Sequence, residues 1–486
     1  MPINMNNLSL ARTAIDKGQV YGLILAGGQA TRLRNISNAN QNQTACFKSN
    51  VPVLTGSAID YSVRAYEQMG LRNIVVLTTA AQASQIEQQV YRPKDPSQKV
   101  KMWIDSRSIG TARAVDSFIR HIAVKQGEAL MDNLTFMVMG SDNPNNVGSD
   151  DPDQHELIKL LNWQLEQSTA ATLGVTRIGM HSNEWNERTF ATVVPDGLNY
   201  HSMDTFPSEY EEMLDRYYSE HVGRTRQIAG FIEQDEQKER DRRYTNFLST
   251  GYYAVNGAFW MDTISPNLKH NFSDFGFHIF PAMASFDLFP DPTAPIQFQK
   301  VREAMRTYRF NAYFIPEHRE KEPIYWCDVG TPLLLLLANM RGLMGEFGKL
   351  PHFGKVWKEE PWGMVGEDTE IDIQARIKPP LQLDSPFQPI GNIIGRNCRI
   401  GRFVHLKHCV IGDNVIIDEK VRLENVVVFP GTPLQPTFIS KLELRNGIVA
   451  GGSIPGSRII RPVTAEGAIL FRSPDGDLVI SRISKD

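Results

Sequence analysis

Cysteine is scarce in this sequence, with four residues in a chain of 486. Cys46, Cys327, Cys398 and Cys409 form no CxxC pair and show no spacing typical of a zinc site. This pattern argues against a disulfide-stapled secreted domain and against a cysteine-based metal centre. We therefore expect reduced cysteines and a cytoplasmic location.

Long apolar runs and an excess of one charge sign are also lacking. The longest apolar run, Leu333–Ala338, is far too short to span a bilayer, and the N-terminus has no basic-then-apolar signal pattern. The 51 lysines and arginines nearly balance the 55 aspartates and glutamates, which leaves a net charge of −4. We therefore expect neither a membrane nor a nucleic acid as partner. A near-zero net charge still allows local clusters of basic residues that bind phosphate.

The N-terminal part alternates short apolar runs with helical stretches. Val20–Leu25, Ile74–Leu77 and Phe136–Met139 are predicted as buried strands, and Ile59–Gly70 as a helix. Strands separated by helical lengths are typical of βαβ units, so the pattern predicts an α/β fold with a parallel sheet.

The length of the chain predicts two domains. The first spans 1–345, with a charged segment at about 206–243 that we expect to be an exposed insertion. A linker at 346–362 leads to a second domain over 363–486, in which the residue pattern changes.

A period of six dominates the second domain. Apolar residues recur at this spacing in four runs, namely Val365, Ile371, Ile377; Ile394, Ile400, Leu406; Ile411, Ile417, Leu423; and Ile448, Ile454, Ile460. Six is neither a helical nor a strand period, and it is typical of a hexapeptide β-helix that stacks aliphatic residues inward. The alternative is a β-meander whose spacing is accidental. We predict a left-handed parallel β-helix.

A glycine-rich string directly follows the first predicted strand. It runs Leu25-Ala26-Gly27-Gly28-Gln29-Ala30-Thr31-Arg32-Leu33. Glycines at the end of a strand let backbone amides approach a phosphate without interference from a Cβ atom. An arginine a few residues later can neutralise a polyphosphate through charge-assisted hydrogen bonds.

This string resembles the GGxGTRL signature of nucleotide-sugar pyrophosphorylases. Further segments, in the same order, are similar to motifs of ADP-glucose pyrophosphorylases: Leu8–Arg12 (leader), Phe47–Pro52 (RAKPAVP), Gly110–Ala112 (GTA), Gly140–Asp142 (GD), Phe231–Glu233 (FxEKP), Ser249–Tyr253 (SMGIY), Asp274–Gly276 (DFG) and Tyr325–Thr331 (YWRDVGT). The chain is identified as a divergent member of this family of sugar-1-phosphate nucleotidyltransferases. The resemblance implies a Rossmann-like, GT-A-like domain with a mixed, mostly parallel sheet.

The resemblance also implies roles for individual residues. Nucleotide would bind at Leu25, Ala26, Gly27, Gly28, Thr31, Gly110 and Thr111, and sugar phosphate at Glu233, Gln234, Ser249 and Gly251. Asp142 and Asp328 would hold Mg²⁺, since this ion prefers oxygen ligands. Arg32 would hold the leaving pyrophosphate, and Lys48 would screen the charge of the α-phosphate. Together with Asp142, these are the residues predicted to be catalytic. The substrates would be a nucleoside triphosphate and a sugar 1-phosphate. Within the family resemblance, the expected pair is ATP and glucose 1-phosphate.

Each of these residues has a plainer interpretation. An aspartate at a strand end is usually a cap or turn residue, which applies to Asp142 and Asp328. Arg32 is compatible with a solvated surface charge, and Glu233 with one more acid in an exposed stretch. The loop before Lys48 is longer than in the family, so its alignment could slip.

Several departures from the family pattern support alternative functions. Ala30 replaces a loop glycine, Cys46 replaces an arginine, and Gln234 replaces the lysine that grips the sugar phosphate. The chain could therefore be a degenerate, ligand-binding regulatory subunit beside an active paralogue, or an enzyme for another sugar or nucleotide. Acyl transfer by the C-terminal domain, with His405 and His408 as bases, has little support. The family resemblance implies a homotetramer; a hetero-oligomer is the alternative.

Overall fold

The computed structural model describes most of the chain. The described residues are 8–27, 33, 47–105, 110–177, 191–198, 208–233, 245–269, 272–284, 296–319, 322–380, 389–450, 458–459, 463–472 and 478–483.

A nine-stranded sheet forms the centre of the N-terminal part. Its strands, in chain order, are β1 (Val20–Leu25), β4 (Asn73–Thr78), β5 (Lys99–Ile104), β6 (Thr135–Gly140), β7 (Ala171–Arg177), β8 (Thr192–Pro195), β9 (Thr225–Ile232), β10 (Phe247–Asn256) and β11 (Phe310–Phe314), in the spatial order β5-β4-β1-β6-β10-β7-β11-β9-β8. Two small hairpins, β2–β3 (Pro52–Val53, Gly56–Ser57) and β12–β13 (His318–Arg319, Glu322–Pro323), lie outside it.

Helices flank the sheet. They are α1 (Ser9–Asp16), α2 (Ala58–Gln68), α3 (Ala80–Gln89), α4 (Thr111–Gln126), α5 (Glu156–Gln167), α6 (Ser208–His221), α7 (Gly257–Phe259), α8 (Ser265–Asn267), α9 (Phe280–Met283), α10 (Ile296–Ala304) and α11 (Pro332–Leu343). Apolar residues of α4 recur at helical spacing and are buried, including Val115, Ile119 and Ile122. The strands and the helix predicted between Val20 and Met139 are confirmed.

The central sheet is mixed and mostly parallel, as predicted: seven of its nine strands run in one direction, and β9 and β10 run the opposite way. β5, β4, β1 and β6 run parallel to one another, and β7 is parallel to β11. β10 enters antiparallel between β6 and β7, and β9 is antiparallel to β11 and β8. The βαβ pattern was visible only up to Met139, and strand order beyond it depends on long-range pairing that local periodicity does not encode.

The charged segment at 206–243 is not an exposed insertion where the structure describes it. Tyr210, Leu214 and Tyr218 of α6 are buried in the main core, and β9 is a member of the central sheet with Ile228 and Phe231 buried. The spacing of four places the three helical residues on one face. The acidic residues lie mainly on the other face of the helix. The prediction rested on the high charge content of the segment and therefore overlooked this apolar stripe.

The C-terminal part consists of short strands. They are β14 (Trp357–Glu360), β15 (Gly363–Gly366), β16 (Glu370–Ile371), β17 (Arg376–Ile377), β18 (Asn392–Ile394), β19 (Arg399–Ile400), β20 (His405–Lys407), β21 (Val410–Ile411), β22 (Val415–Ile417), β23 (Arg422–Val428), β24 (Thr437–Ile439), β25 (Leu442–Val449), β26 (Arg458–Ile459), β27 (Val463–Glu466), β28 (Ala468–Arg472) and β29 (Leu478–Arg482).

These strands form three parallel series. One series is β15-β18-β21-β23-β25-β28, the second is β16-β19-β22-β24-β26, and the third is β17-β20-β23-β25-β27. β14 and β29 pair antiparallel at the two ends of the first series. β14 lies inside the predicted linker 346–362. We call this arrangement the C-terminal strand stack.

The six-residue pattern sets the register of the stack. Ile394 pairs with Ile411, Ile400 with Ile417, and Leu406 with Leu423, so predicted residues meet in columns, and these residues are buried in the stack's own core. Ile448 was predicted to point inward, but Val449 does so instead. Successive residues of a strand point to opposite sides of it. After the proline-bearing loop 430–436 the inward position is one residue later than predicted, so Val449 points inward and Ile448 outward. Ile454 and Ile460 lie outside the described residues.

The two parts share an apolar interface. Ile393, Val410, Val427 and Ile448 project from the first series into a cluster that includes Leu335 of α11. The outward residues of the stack therefore continue the packing of the N-terminal part.

We predict that Leu214→Ala destabilises the protein by about 2–5 kcal/mol, because it opens a cavity in the main core. Urea unfolding followed by circular dichroism measures this loss. Glu212→Ala, on the exposed face of the same helix, should change stability by less than about 0.5 kcal/mol. Equal effects of the two substitutions would contradict the placement of α6 in the core.

Candidate functional site

The carboxyl ends of β1, β4 and β6 meet at one edge of the central sheet, as adjacent parallel strands must. The backbone amide of Ala26 donates to Leu77 at 2.8 Å, and that of Ser141 donates to Leu25 at 3.0 Å. These bonds extend the β1 path to Gly27, where an added Cβ atom would meet only the Thr79 methyl group, at 3.8 Å. Leu25, Ala26 and Gly27 thus lie at the edge where the sequence predicts nucleotide binding.

Two distant chain segments pair beside this edge. The backbone amide of Val329 donates to the carbonyl oxygen of Asp142 at 3.0 Å, and that of Cys327 to the carbonyl oxygen of Pro144 at 3.2 Å. In the other direction, the amide of Asn146 donates to the carbonyl oxygen of Tyr325 at 3.1 Å. The antiparallel pairing of 142–146 with 325–329 brings together Asp142, which follows β6, and Asp328, which follows β13. We call this pairing the aspartate strap.

Lys48 forms an ion pair with both aspartates of the strap. Its Nζ contacts Asp142 Oδ2 and lies 3.6 Å from Asp328 Oδ1. The three side chains are largely shielded, with 20, 18 and 12% of their surfaces exposed for Lys48, Asp142 and Asp328. Lys48 begins a 3₁₀ turn, Lys48–Asn50, directly before the β2–β3 hairpin. The structure therefore unites three of the predicted site residues.

The cluster carries two carboxylates against one ammonium, so its formal charge is negative. Asp328 Oδ1 is buried and accepts no hydrogen bond. A buried carboxylate oxygen without a donor is costly unless a cation satisfies it. Among the described residues there is no group of three or more His, Cys, Asp or Glu arranged for a metal. Two carboxylates nevertheless fit Mg²⁺, which takes one or two of them plus waters and substrate phosphates.

A bulge in β10 lies beside the strap. The register of β10 against β7 shifts between Ser249 and Tyr253, and Gly251 there has a φ of 73°. The side-chain amide of Asn143 donates to Thr250 O at 3.0 Å, as does the Trp326 indole at 2.9 Å. Ser249 and Gly251, predicted to bind sugar phosphate, are thereby held next to the residue that follows Asp142.

A second group surrounds the start of α4. Gly110 has a φ of 97°, and an added Cβ atom would lie 2.4 Å from Ser273 O, so the position requires glycine. The Thr111 hydroxyl donates to Asp274 Oδ2 at 2.9 Å and accepts from the Phe275 amide at 3.2 Å. Gly110 and Thr111 are therefore fixed to the turn that carries Asp274.

Glu233 belongs to this second group. It follows β9, and a Cβ atom added to Gly276 would lie 2.2 Å from Glu233 Oε2. The carboxylate thus lies against Gly276, in the turn that carries Asp274.

Some predicted residues have no described position. Gly28, Thr31, Arg32 and Gln234 lie outside the described residues, as do the substituted positions Ala30 and Cys46. His405 and His408 lie on the strand stack, both half-buried. Burial lowers the pKa of both, and His408 Nδ1 is 3.3 Å from Asn425 Oδ1.

Sequence reasoning did not single out Asn143 or Trp326. Both contact Thr250 O and tie the β10 bulge to the strap. Gly330 was also missed, although an added Cβ atom there would lie 2.8 Å from Asp328 Oδ1 and 3.1 Å from Lys48 Nζ. Trp326 and Gly330 lie within the Tyr325–Thr331 motif, and Asn143 directly follows the Gly140–Asp142 motif; these positions were the only available signal.

The part of the site that follows β1, β4 and β6 lies within a segment that matches a known protein family. A family model described as nucleotidyl transferase matches residues 21–173. The match covers less than half of the chain and supports the sugar-1-phosphate nucleotidyltransferase superfamily. It includes Lys48, Gly110 and Asp142 and ends before Glu233 and Asp328. No curated protein sequence matches the chain significantly. In the described part, no helix is both long and apolar enough to cross a membrane.

His278 provides a pH-dependent test of the second group. The amides of Ser273 and Asp274 donate to His278 Nδ1 at 3.3 and 3.1 Å, which requires an unprotonated nitrogen. Burial lowers the pKa of His278 below its ordinary 6.5, although Asp274 opposes this. Because the folded pKa lies below the unfolded one, the stabilisation is complete above pH about 6.5 and is lost as the pH falls toward the folded value.

We predict that the His278 Cε1 proton titrates in NMR with a midpoint below about 6.5. His278→Ala should remove part of the stability loss seen in urea unfolding between pH about 7.5 and about 5.5. A midpoint above the ordinary value would contradict the accepted hydrogen bonds.

Proposed function

We propose that this protein is a sugar-1-phosphate nucleotidyltransferase that makes ADP-glucose and pyrophosphate from ATP and glucose 1-phosphate. The observation that carries the proposal is the Lys48–Asp142–Asp328 cluster, which lies where Asp142 follows β6 at the carboxyl edge of the parallel strands. The nucleotidyl transferase match over this part of the chain supports the same reaction class. The choice of glucose and adenine rests on the family resemblance.

The reaction joins two anions, so catalysis depends on positioning them and neutralising their charge. A phosphate oxygen of the sugar 1-phosphate forms a bond to the α-phosphorus. The bond from this phosphorus to the oxygen bridging to the β-phosphorus breaks, and pyrophosphate leaves with the electron pair. No covalent enzyme intermediate is needed.

Asp142 and Asp328 are the residues that would hold Mg²⁺. The bound ion would neutralise phosphate charge as a Lewis acid. Lys48 adds a positive charge for the α-phosphate, and Arg32 is assigned to the pyrophosphate. Backbone at Leu25–Gly27, Gly110 and Thr111 would hold the nucleotide. Glu233 would accept hydrogen bonds from sugar hydroxyl groups, with Ser249, Gly251 and Gln234 near the sugar phosphate.

We further propose that residues 363–486 form a left-handed β-helix and residues 1–345 the N-terminal domain. The segment 346–362 joins them, and its strand β14 pairs with β15 of the stack. The three parallel strand series support a β-helix. A homotetramer remains the proposed assembly, because the open ends and flat sides of such a domain favour pairing.

We predict that Asp142→Asn and Asp328→Asn each lower kcat/KM for pyrophosphate release by at least about 100-fold, since each removes a charged oxygen ligand. A coupled pyrophosphate assay with several triphosphates and sugar phosphates measures this. Asp262→Asn, at an exposed position of the same domain, is the matched control and should retain full activity. A folded wild-type protein that turns over no substrate pair would refute the proposed activity.

The departures at Ala30, Cys46 and Gln234 favour a second function, that of a ligand-binding regulatory subunit. Replacing a lysine by glutamine removes a charge-assisted contact worth about 1.5–3 kcal/mol. If the protein is this subunit, wild type is inactive and Gln234→Lys gains turnover. If it is the proposed enzyme, wild type is active and Gln234→Lys mainly lowers the KM for the sugar phosphate, which steady-state kinetics measures.

A further inference from the structure

The position of Lys48 creates a conflict at the proposed metal site. Its ammonium contacts the carboxylates of both Asp142 and Asp328. The same nitrogen lies 3.1 Å from where a Cβ atom would stand on Gly330, so this residue lies close to the ammonium. A divalent ion bridging Asp142 Oδ2 and Asp328 Oδ1 would compete with the ammonium for these two oxygens and for the space between them.

We propose that Lys48 is a resident counter-cation, which a divalent ion displaces from the aspartate pair when it binds. Two carboxylates this close repel each other when neither is neutralised. Lys48 relieves that repulsion before metal arrives, and it weakens metal binding by competing for the same oxygens. The inference rests on the proposed function only in taking Asp142 and Asp328 as metal ligands.

The backbone around Lys48 is anchored, so displacement requires only the side chain to move. The Asn50 amide donates to Phe47 O at 2.8 Å within the 3₁₀ turn. The next hairpin is fixed to α11, because the Leu54 amide donates to Asn339 Oδ1 at 2.8 Å and Asn339 Nδ2 donates to Pro52 O at 3.1 Å. A displaced lysine therefore stays beside the metal, where its charge becomes available to a phosphate. Metal binding and Lys48 release would be one event.

Divalent-ion binding without nucleotide or sugar phosphate tests the proposal. Mn²⁺ binding is measured by electron paramagnetic resonance of the free ion, and Mg²⁺ binding by calorimetry. Lys48→Met should bind both ions at least about tenfold more tightly than wild type, because the competing charge is gone. Lys48→Arg keeps the charge and should bind like wild type. Lys407→Met removes a lysine that pairs with Glu424 on the strand stack and should change nothing.

Equal or weaker divalent binding by folded Lys48→Met would overturn the proposal, as would binding that persists in Asp142→Asn. Failure of turnover would not, since no step of this experiment needs substrate. Competition for a ligand pair predicts a gain in affinity, whereas a lysine that only supports the metal site predicts a loss.

Wild-type protein gives a second measurement if Lys48→Met does not fold. Mg²⁺ should raise the rate of reductive methylation of Lys48 at fixed pH by at least about threefold, because the side chain released from the shielded ion pair is more accessible to the reagent. Peptide mass spectrometry reads this rate, with Lys407 as the internal control. An unchanged or lowered rate at Lys48 would overturn the proposal.

Discussion

The site depends on the aspartate strap, the antiparallel pairing of segments 142–146 and 325–329. Its backbone hydrogen bonds place Asp142 and Asp328 near one point, although Cys327 and Pro144 in the same strap are 183 residues apart in the chain. The polar contacts of Asn143 and Trp326 with Thr250 extend the strap to the β10 bulge. Backbone pairing holds the two carboxylates together despite their mutual repulsion, and Lys48 offsets part of that repulsion.

The C-terminal strand stack packs against the aspartate strap. The cluster that unites the two parts includes Tyr325, Cys327 and Val329 from the strap together with Ile393 and Val410 from the stack. Side chains of the strap that point away from the site are thus packed in an apolar interface that the C-terminal part completes. The stack therefore has a structural role in the N-terminal site, whatever partners its remaining faces contact.

Much of the framework could be predicted from the sequence. The strands β1, β4 and β6, the helix α2, and the columns Ile394–Ile411 and Leu406–Leu423 follow local patterns of burial that repeat at two, 3.6 or six residues. Resemblance to family motifs, rather than local periodicity, pointed to Lys48, Asp142 and Asp328. The burial of α6 and the inward direction of Val449 were missed, because acidic residues masked an apolar stripe and a loop shifted the register.

The sequence by itself determined which residues could meet at the sheet edge, because a parallel strand always delivers its carboxyl end to the same side. Only the tertiary structure decided that Lys48 reaches both aspartates, that Glu233 rests against Gly276, and that Asn143 reaches Thr250. Such contacts join segments far apart in the chain. Their formation depends on the packing of the whole domain and leaves no periodic trace in either segment.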